Sequence, residues 1–223
     1  MEKEKHVLVI FPHPDDEAFG ISGTIAMYTQ NNIPVSYVCC TLGEMGRNMG
    51  NPPFANRETL PQIRKRELEE SCKVLGINDL RLLGLRDKTL EFEDLDHLAD
   101  YFSPIIDEIK PSLIITFYPG YSVHPDHDAC GAAVIHAVKR LPKEERPAIH
   151  CVAFSNNCVD ELGPPHITRD VSKYAETKLK AIQAHKSQFG AFVRGRAAKH
   201  GLQDKQVQER INTERFWIYK WDD

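Results

Sequence analysis

The chain has 223 residues, with 28 Lys and Arg against 32 Asp and Glu, a formal net charge of −4. Hydrophobic residues make up 41% and charged ones 27%, which suits one globular domain over 1–223 and excludes a disordered or collagen-like chain. Mild acidity argues against a nucleic-acid or anionic-membrane partner held by bulk charge. The N-terminal MEKEKHVLVIF has no secretory pattern, and no run reaches the ~18 apolar residues of a membrane span. The six cysteines include no C-x-x-C pair, so reduced thiols in a cytoplasmic protein are expected.

The first apolar run, Val7–Phe11, reads as a strand buried on both faces, as in a parallel sheet. A helix over Glu17–Gln30 and a strand over Val35–Cys40 follow. Residues 43–59 form the longest irregular stretch, and loops of that length are usually functional or mobile. Leu60–Leu75 is an amphipathic helix with Leu60, Ile63, Leu68, Val74 and Leu75 inward and Gly76 as its stop. Strand Leu80–Leu85, helix Leu95–Ile109, strand Leu113–Phe117 and helix Asp128–Arg140 come next. Strand Ile149–Phe154, helix Ser172–Phe189 and strand Phe216–Trp221 complete the chain. Strand–helix alternation predicts an α/β protein: a Rossmann-like three-layer fold, its sheet mostly parallel, with helices on both faces.

Two constellations carry chemistry. His13, Asp15 and Asp16 lie on the turn after the first strand, where α/β sheets bind ligands. A His and a carboxylate three residues apart can reach one metal ion. Asp15, Asp16 and Glu17 also suit a helix N-terminus, where acids are favoured by about 0.3–1 kcal/mol each. That reading leaves His13, fixed between two prolines, unexplained. A dinucleotide is excluded, because the turn lacks glycines and its three acids would repel a pyrophosphate. The second constellation is His124-Pro125-Asp126-His127, again just beyond an apolar strand. If the two converge, His13, Asp16, His124 and His127, with Asp15 and Asp126 as further carboxylates, form the donor pool of a catalytic metal site.

At these residues the sequence resembles the LmbE/PIG-L family of zinc-dependent N-acetylglucosamine deacetylases. The family's A-H-P-D-D-E motif stands here as Pro12–Glu17, with Pro for Ala, and its H-P-D-H motif as His124–His127. T-L-G-E is at Thr41–Glu44, I-R-x-x-E at Ile63–Glu67 with Leu75–Gly76 downstream, and G-L-x-D at Gly84–Asp87. H-x-S-Q is at His185–Gln188 and E-x-F at Glu214–Phe216, so the ordered set spans nearly the whole chain. The early strand, the 43–59 loop and the C-terminal end are most similar to the deacetylases of bacillithiol biosynthesis. Those enzymes remove acetate from N-acetylglucosaminyl-malate.

The resemblance implies zinc on His13, Asp16 and His127, with iron or cobalt equally suited to two His and one Asp. It makes Asp15 the general base and His124 the stabiliser of the tetrahedral intermediate. Asp126 is expected to orient His124 and raise its pKa. Arg64 is expected to meet the malate carboxylates, with Arg47 as a second candidate, and Glu44 and Asp87 to hold sugar hydroxyls. The plainer readings are a surface ion pair for Arg64 with Glu67 and loop caps for Glu44 and Asp87. His185 is open between packing and function. The basic run Arg194–His200 reads as a solvated face or as a lure for an anionic substrate. Relatives often form trimers or hexamers, so a homo-oligomer is implied. The alternatives are an amidase of thiol S-conjugates, a deacetylase of another amino-sugar conjugate, and a divalent-metal module without chemistry. Asp15 separates the last of these, since binding alone has no use for it.

Overall fold

The structure is a computed structural model and describes residues 4–189 and 204–221. Seven strands form one sheet: β1 (Val7–Phe11), β2 (Val35–Thr41), β3 (Asp79–Leu85), β4 (Leu113–Phe117), β5 (Ala148–Val152), β6 (Ile167–Asp170) and β7 (Thr213–Ile218). Their order is β3-β2-β1-β4-β5-β7-β6. The first five in that row pair in parallel, while β7 runs antiparallel to both β5 and β6. The helices are α1 (Asp16–Gln30), α2 (Leu60–Leu75), α3 (Leu95–Ile109), α4 (Pro125–Lys139), α5 (Cys158–Leu162), α6 (Ala175–Ala184) and α7 (Lys205–Asn212).

The expected three layers are present. Successive strand residues point to opposite faces, so each central strand feeds two cores. Val7, Val9 and Phe11 pack with Ile21, Ile25, Leu68, Cys72 and Ile182 from α1, α2 and α6. Leu8 and Ile10 pack with Leu98, Phe102, Ala133 and Val134 from α3 and α4. That double burial is why β1 is apolar at every position and β4 at all but Thr116, whose hydroxyl donates to the Ile10 carbonyl, and why both are wholly buried.

Several boundaries differ from the sequence expectation. α4 begins at Pro125 rather than Asp128, since a proline suits the first helical position and His124 caps the end. The helix expected over Ser172–Phe189 is a 3-10 turn followed by α6, whose C-cap is His185. β6, α5 and α7 are short elements that periodicity did not reveal. On α2, Ile63 and Val74 are only half-buried, and the inner face includes Arg64, Glu67 and Ser71. Gly76 ends α2 with φ 74, the left-handed cap expected of it. The basic run Arg194–His200 lies outside the described residues.

The antiparallel strand β7 is tied to α1 by charge. Glu214 accepts hydrogen bonds from the Gly23 and Thr24 N–H groups, at 2.9 and 2.7 Å, and from Lys178 Nζ at 2.7 Å. The Lys178 and Glu214 side chains are 2% and 1% exposed. Removing one partner of such a pair leaves a buried charge, at a cost of about 3–5 kcal/mol. Lys178→Met is expected to lower the unfolding free energy by about 3 kcal/mol in urea titrations.

Candidate active site

The sheet order reverses between β1 and β4, so the turns after these strands lie side by side beyond the sheet edge. This brings His13 against the His124–His127 motif. The His13 ring is buried, and its Nε2 lies 3.2 Å from both Asp87 Oδ1 and Asp126 Oδ2. A proton on Nε2 serves these carboxylates and leaves the Nδ1 lone pair free. Nδ1 faces His127 Nε2 at 3.2 Å. His127 in turn donates from Nδ1 to the Ser122 carbonyl at 3.1 Å, so its Nε2 also presents a lone pair. Asp16 closes the triangle, with Oδ2 3.5 Å from His13 Nδ1 and Oδ1 3.3 Å from His127 Nε2.

Two ring nitrogens and a carboxylate converging on one point favour positive charge there, which a proton or a metal ion supplies. Metal bonds of about 2.0–2.1 Å in a tetrahedron separate neighbouring ligand atoms by about 3.3–3.4 Å. The 3.2 Å between the two ring nitrogens is close to that spacing, and Asp16 turns a different carboxylate oxygen to each ring, at 3.5 Å from His13 and 3.3 Å from His127. Two further sets have ligand atoms within 4.8 Å of one another: His13, His124 and His127, and His13, Asp87 and Asp126. His124 Nδ1 is occupied by the Asp126 N–H at 3.1 Å. The surrounding carboxylates favour positive charge on the His13 ring. Burial opposes charge on His13, yet Asp126, Asp16 and Asp87 hold its pKa well above 6.5. Burial would raise the Asp16 carboxyl, yet His127 and His13 pull it far below the usual range.

Asp15 is not a helix-capping acid. It stands at the α1 N-cap with φ 114, and its side chain makes no capping bond. Such a backbone is costly for a residue other than glycine and persists where the surroundings enforce it. Here the enforcers are Glu17, which accepts the Asp15 N–H at 3.1 Å, and Arg64, which holds Asp15 Oδ2 at 3.0 Å. Burial raises the Asp15 carboxyl to about 6 against the pull of Arg64. That value suits proton transfer near neutral pH.

The structure redirects several expected contacts. The Asp126 carboxylate is turned away from His124; it accepts from the Lys88 and Leu90 N–H groups and faces His13. Only its main-chain N–H meets His124. The pKa of His124 is lowered, not raised, because burial and the neighbouring His13 and His127 outweigh Asp126. Asp87 gives one oxygen to His13 and the other to the Met45 N–H, so it braces the His13 ring. Glu44 accepts the Asp87 N–H at 3.2 Å and acts as a loop cap. Arg64 is buried, with no surface pairing to Glu67. It donates to the Gly43 and Pro14 carbonyls, and any side chain at Gly43 would strike its guanidinium. Glu67 instead accepts from the Ser187 N–H and hydroxyl. Arg47 and Lys88 are exposed and line a cleft of about 380 Å³ with His13, Asp15, Asp16 and His127.

Sequence reasoning overlooked Glu17. It is fully buried, accepts from Ser71 Oγ at 2.6 Å and from His185 Nε2 at 2.7 Å, and fixes the Asp15 backbone. Burial and then Glu17 act on His185 in opposite senses, and the net pKa is raised. His185 is thus a buried partner of Glu17, behind the site. The signal available in the sequence was the third acid of the first motif, which helix capping seemed to account for.

A family model described as PIG-L, GlcNAc-PI de-N-acetylase, matches residues 8–138, the segment that holds both constellations. The chain belongs to the PIG-L family. A probable N-acetyl-alpha-D-glucosaminyl L-malate deacetylase 2 of Bacillus cereus is 53% identical over 98% of this chain and its own full length. The protein of the same description from Bacillus subtilis is 52% identical over 99% of this chain and all of its own. Among solved structures, an N,N'-diacetylchitobiose deacetylase from Pyrococcus horikoshii is similar, with TM-score 0.74 and 26% identity. That match covers 98% of this chain and 85% of the other. Membership of this deacetylase family makes the chain an N-deacetylase, and its curated relatives act on small amino-sugar conjugates.

A ligand that binds only the folded chain stabilises it, by about 2.7 kcal/mol at a hundred times its Kd. Zinc is expected to raise the urea midpoint of the metal-free protein, and His127→Ala and Asp16→Ala are expected to abolish that rise.

Proposed function

We propose that this PIG-L family deacetylase is a zinc enzyme that removes the acetyl group from N-acetylglucosaminyl-malate, through one domain spanning the chain. The observation that carries the chemistry is the tautomer-locked triangle of His13, Asp16 and His127 with Asp15 beside it. The substrate rests on the Bacillus relatives, which match this chain from end to end. Bound zinc would lower the pKa of water toward about 7 and polarise the acetyl carbonyl.

Asp15 receives the proton that the attacking water loses as its oxygen joins the acetyl carbon. With one carboxylate oxygen held by Arg64, the other does the transfer. As the C–N bond breaks, Asp15 returns the proton to the departing amine. His124 accepts the Asp126 N–H at Nδ1, so its proton sits on Nε2 and the neutral ring donates toward the developing oxyanion. This replaces the imidazolium that a carboxylate-backed His124 would have supplied. Asp87 and Asp126 act behind His13, fixing its tautomer. Arg64 positions Asp15. Malate carries two carboxylates, and Arg47 and Lys88 are the cations at the cleft that face none of its acids in a pairing contact. We place the enzyme in the cytoplasm: no described helix is long and apolar enough to cross a membrane, and all six cysteines are buried and free.

The test is amine release from N-acetylglucosaminyl-malate by zinc-loaded protein, with N-acetylglucosamine as a second substrate. Release from the conjugate is expected, and Asp15→Asn is expected to lose about 10²–10⁴ in kcat while keeping zinc. Release from neither sugar would overturn the proposed substrate. Arg47→Met and Lys88→Met are each expected to raise KM for the malate conjugate about tenfold, the worth of one charge-assisted contact, with little change for N-acetylglucosamine.

A further inference from the structure

The turn before α4 contains a strained residue that packing does not explain. Val123 has φ 63 and is 71% exposed. A β-branched residue in the left-handed region is a marked outlier. The His124 N–H donates to the Ser122 carbonyl at 2.8 Å, closing a three-residue γ-turn around Val123 of the rare, strained hand. The same carbonyl accepts from His127 Nδ1 at 3.1 Å. One oxygen therefore serves both histidines, and the turn sets its direction.

The turn is clamped from behind. Asp128 Oδ1 accepts the Gly120 N–H at 2.9 Å and the Ser122 N–H at 3.2 Å. Ser122 Oγ donates to the Tyr118 carbonyl at 2.9 Å. Asp128 follows His127 directly on α4, so one helix end carries both the metal-ligand histidine and the clamp on that histidine's hydrogen-bond partner.

We propose that Asp128 and the Val123 turn form a positioning device for His127. Asp128 holds the turn against the preference of Val123 for negative φ, and the turn aims the Ser122 carbonyl that fixes the His127 tautomer. The inference rests on His127 being a metal ligand. Asp128 touches no reacting atom and acts only through Ser122. An acid in the first turn of α4 could serve the helix dipole alone, but that role would not depend on residue 123.

Coupling between the two positions decides the matter. Zinc affinity is measured on the full chain by competition with a chromophoric chelator, alongside the melting temperature of the metal-free protein. Asp128→Ala is expected to weaken zinc binding about 10–100-fold, the usual loss when the partner of a ligand histidine is disturbed. Asp128→Asn keeps an acceptor oxygen and is expected to keep most of the affinity. Val123→Gly relieves the strain, so it should raise the melting temperature and leave zinc binding intact. In the Asp128→Ala background, Val123→Gly is expected to restore most of the lost affinity, because glycine holds the turn without a clamp. If Asp128→Ala does not fold, Asp128→Glu, whose oxygen is displaced by a methylene, takes its place with the same expectations. Unchanged zinc affinity in the clamp variant would overturn the proposal, as would a loss that Val123→Gly does not repair. A parent chain that binds no zinc is a different result and overturns the metal assignment itself.

Discussion

Everything at the site depends on where one proton sits. The Nε2 edge of His13 faces two carboxylates, Asp87 and Asp126, and this directs Nδ1 at Asp16 and His127. Were the proton on the other nitrogen, the triangle would contain a donor and lose its fit to a cation. The protein therefore invests several buried groups in that tautomer. Asp126 is wholly buried and anchored by two main-chain N–H groups, and Asp87 is anchored by a third. The turn over 87–90 thus orients the His13 ring.

A second layer of buried charge organises Asp15. Arg64 reaches from α2 to the carbonyls of Gly43 and Pro14 and to the Asp15 carboxylate. Glu17 holds the Asp15 N–H from below and is itself held by Ser71 and His185. The Asp15 carboxylate sits on a strained backbone because these neighbours over-determine it. They also explain why α2 buries polar residues on a face that its apolar periodicity assigned to Ile63 and Val74.

Much of this was legible in the sequence. The continuous apolar run of β1 announced a strand covered on both faces, that of β4 announced a strand, and the two His-Pro-Asp motifs announced the turns beyond them. The alternation of strands and helices implied the three layers. What could not be read was direction. Spacing shows that Asp126 lies near both His124 and, across the sheet edge, His13, but not which one its carboxylate faces. Glu44 and Asp87 end strands as ligand-binding acids do, yet each is occupied by a neighbouring turn. Arg64 looked like a surface residue because i, i+3 charge pairs usually are, and its burial follows from a loop contact 21 residues away. Short elements such as β6 and α5 are held by partners distant in sequence, so their local patterns were weak.

The neighbouring position of β1 and β4 has a consequence for how the protein is made. His13 and its facing partner His127 are 114 residues apart in the chain. When the ribosome has released β1 and β2, His13 and Asp16 are already present, but the third donor has not been synthesised. The two motifs meet only after β4 has docked beside β1, and closing so long a loop is the entropic cost already met by folding. On the proposed zinc reading, metal capture would therefore be deferred until the chain has committed to its native topology, and an occupied site would certify correct assembly.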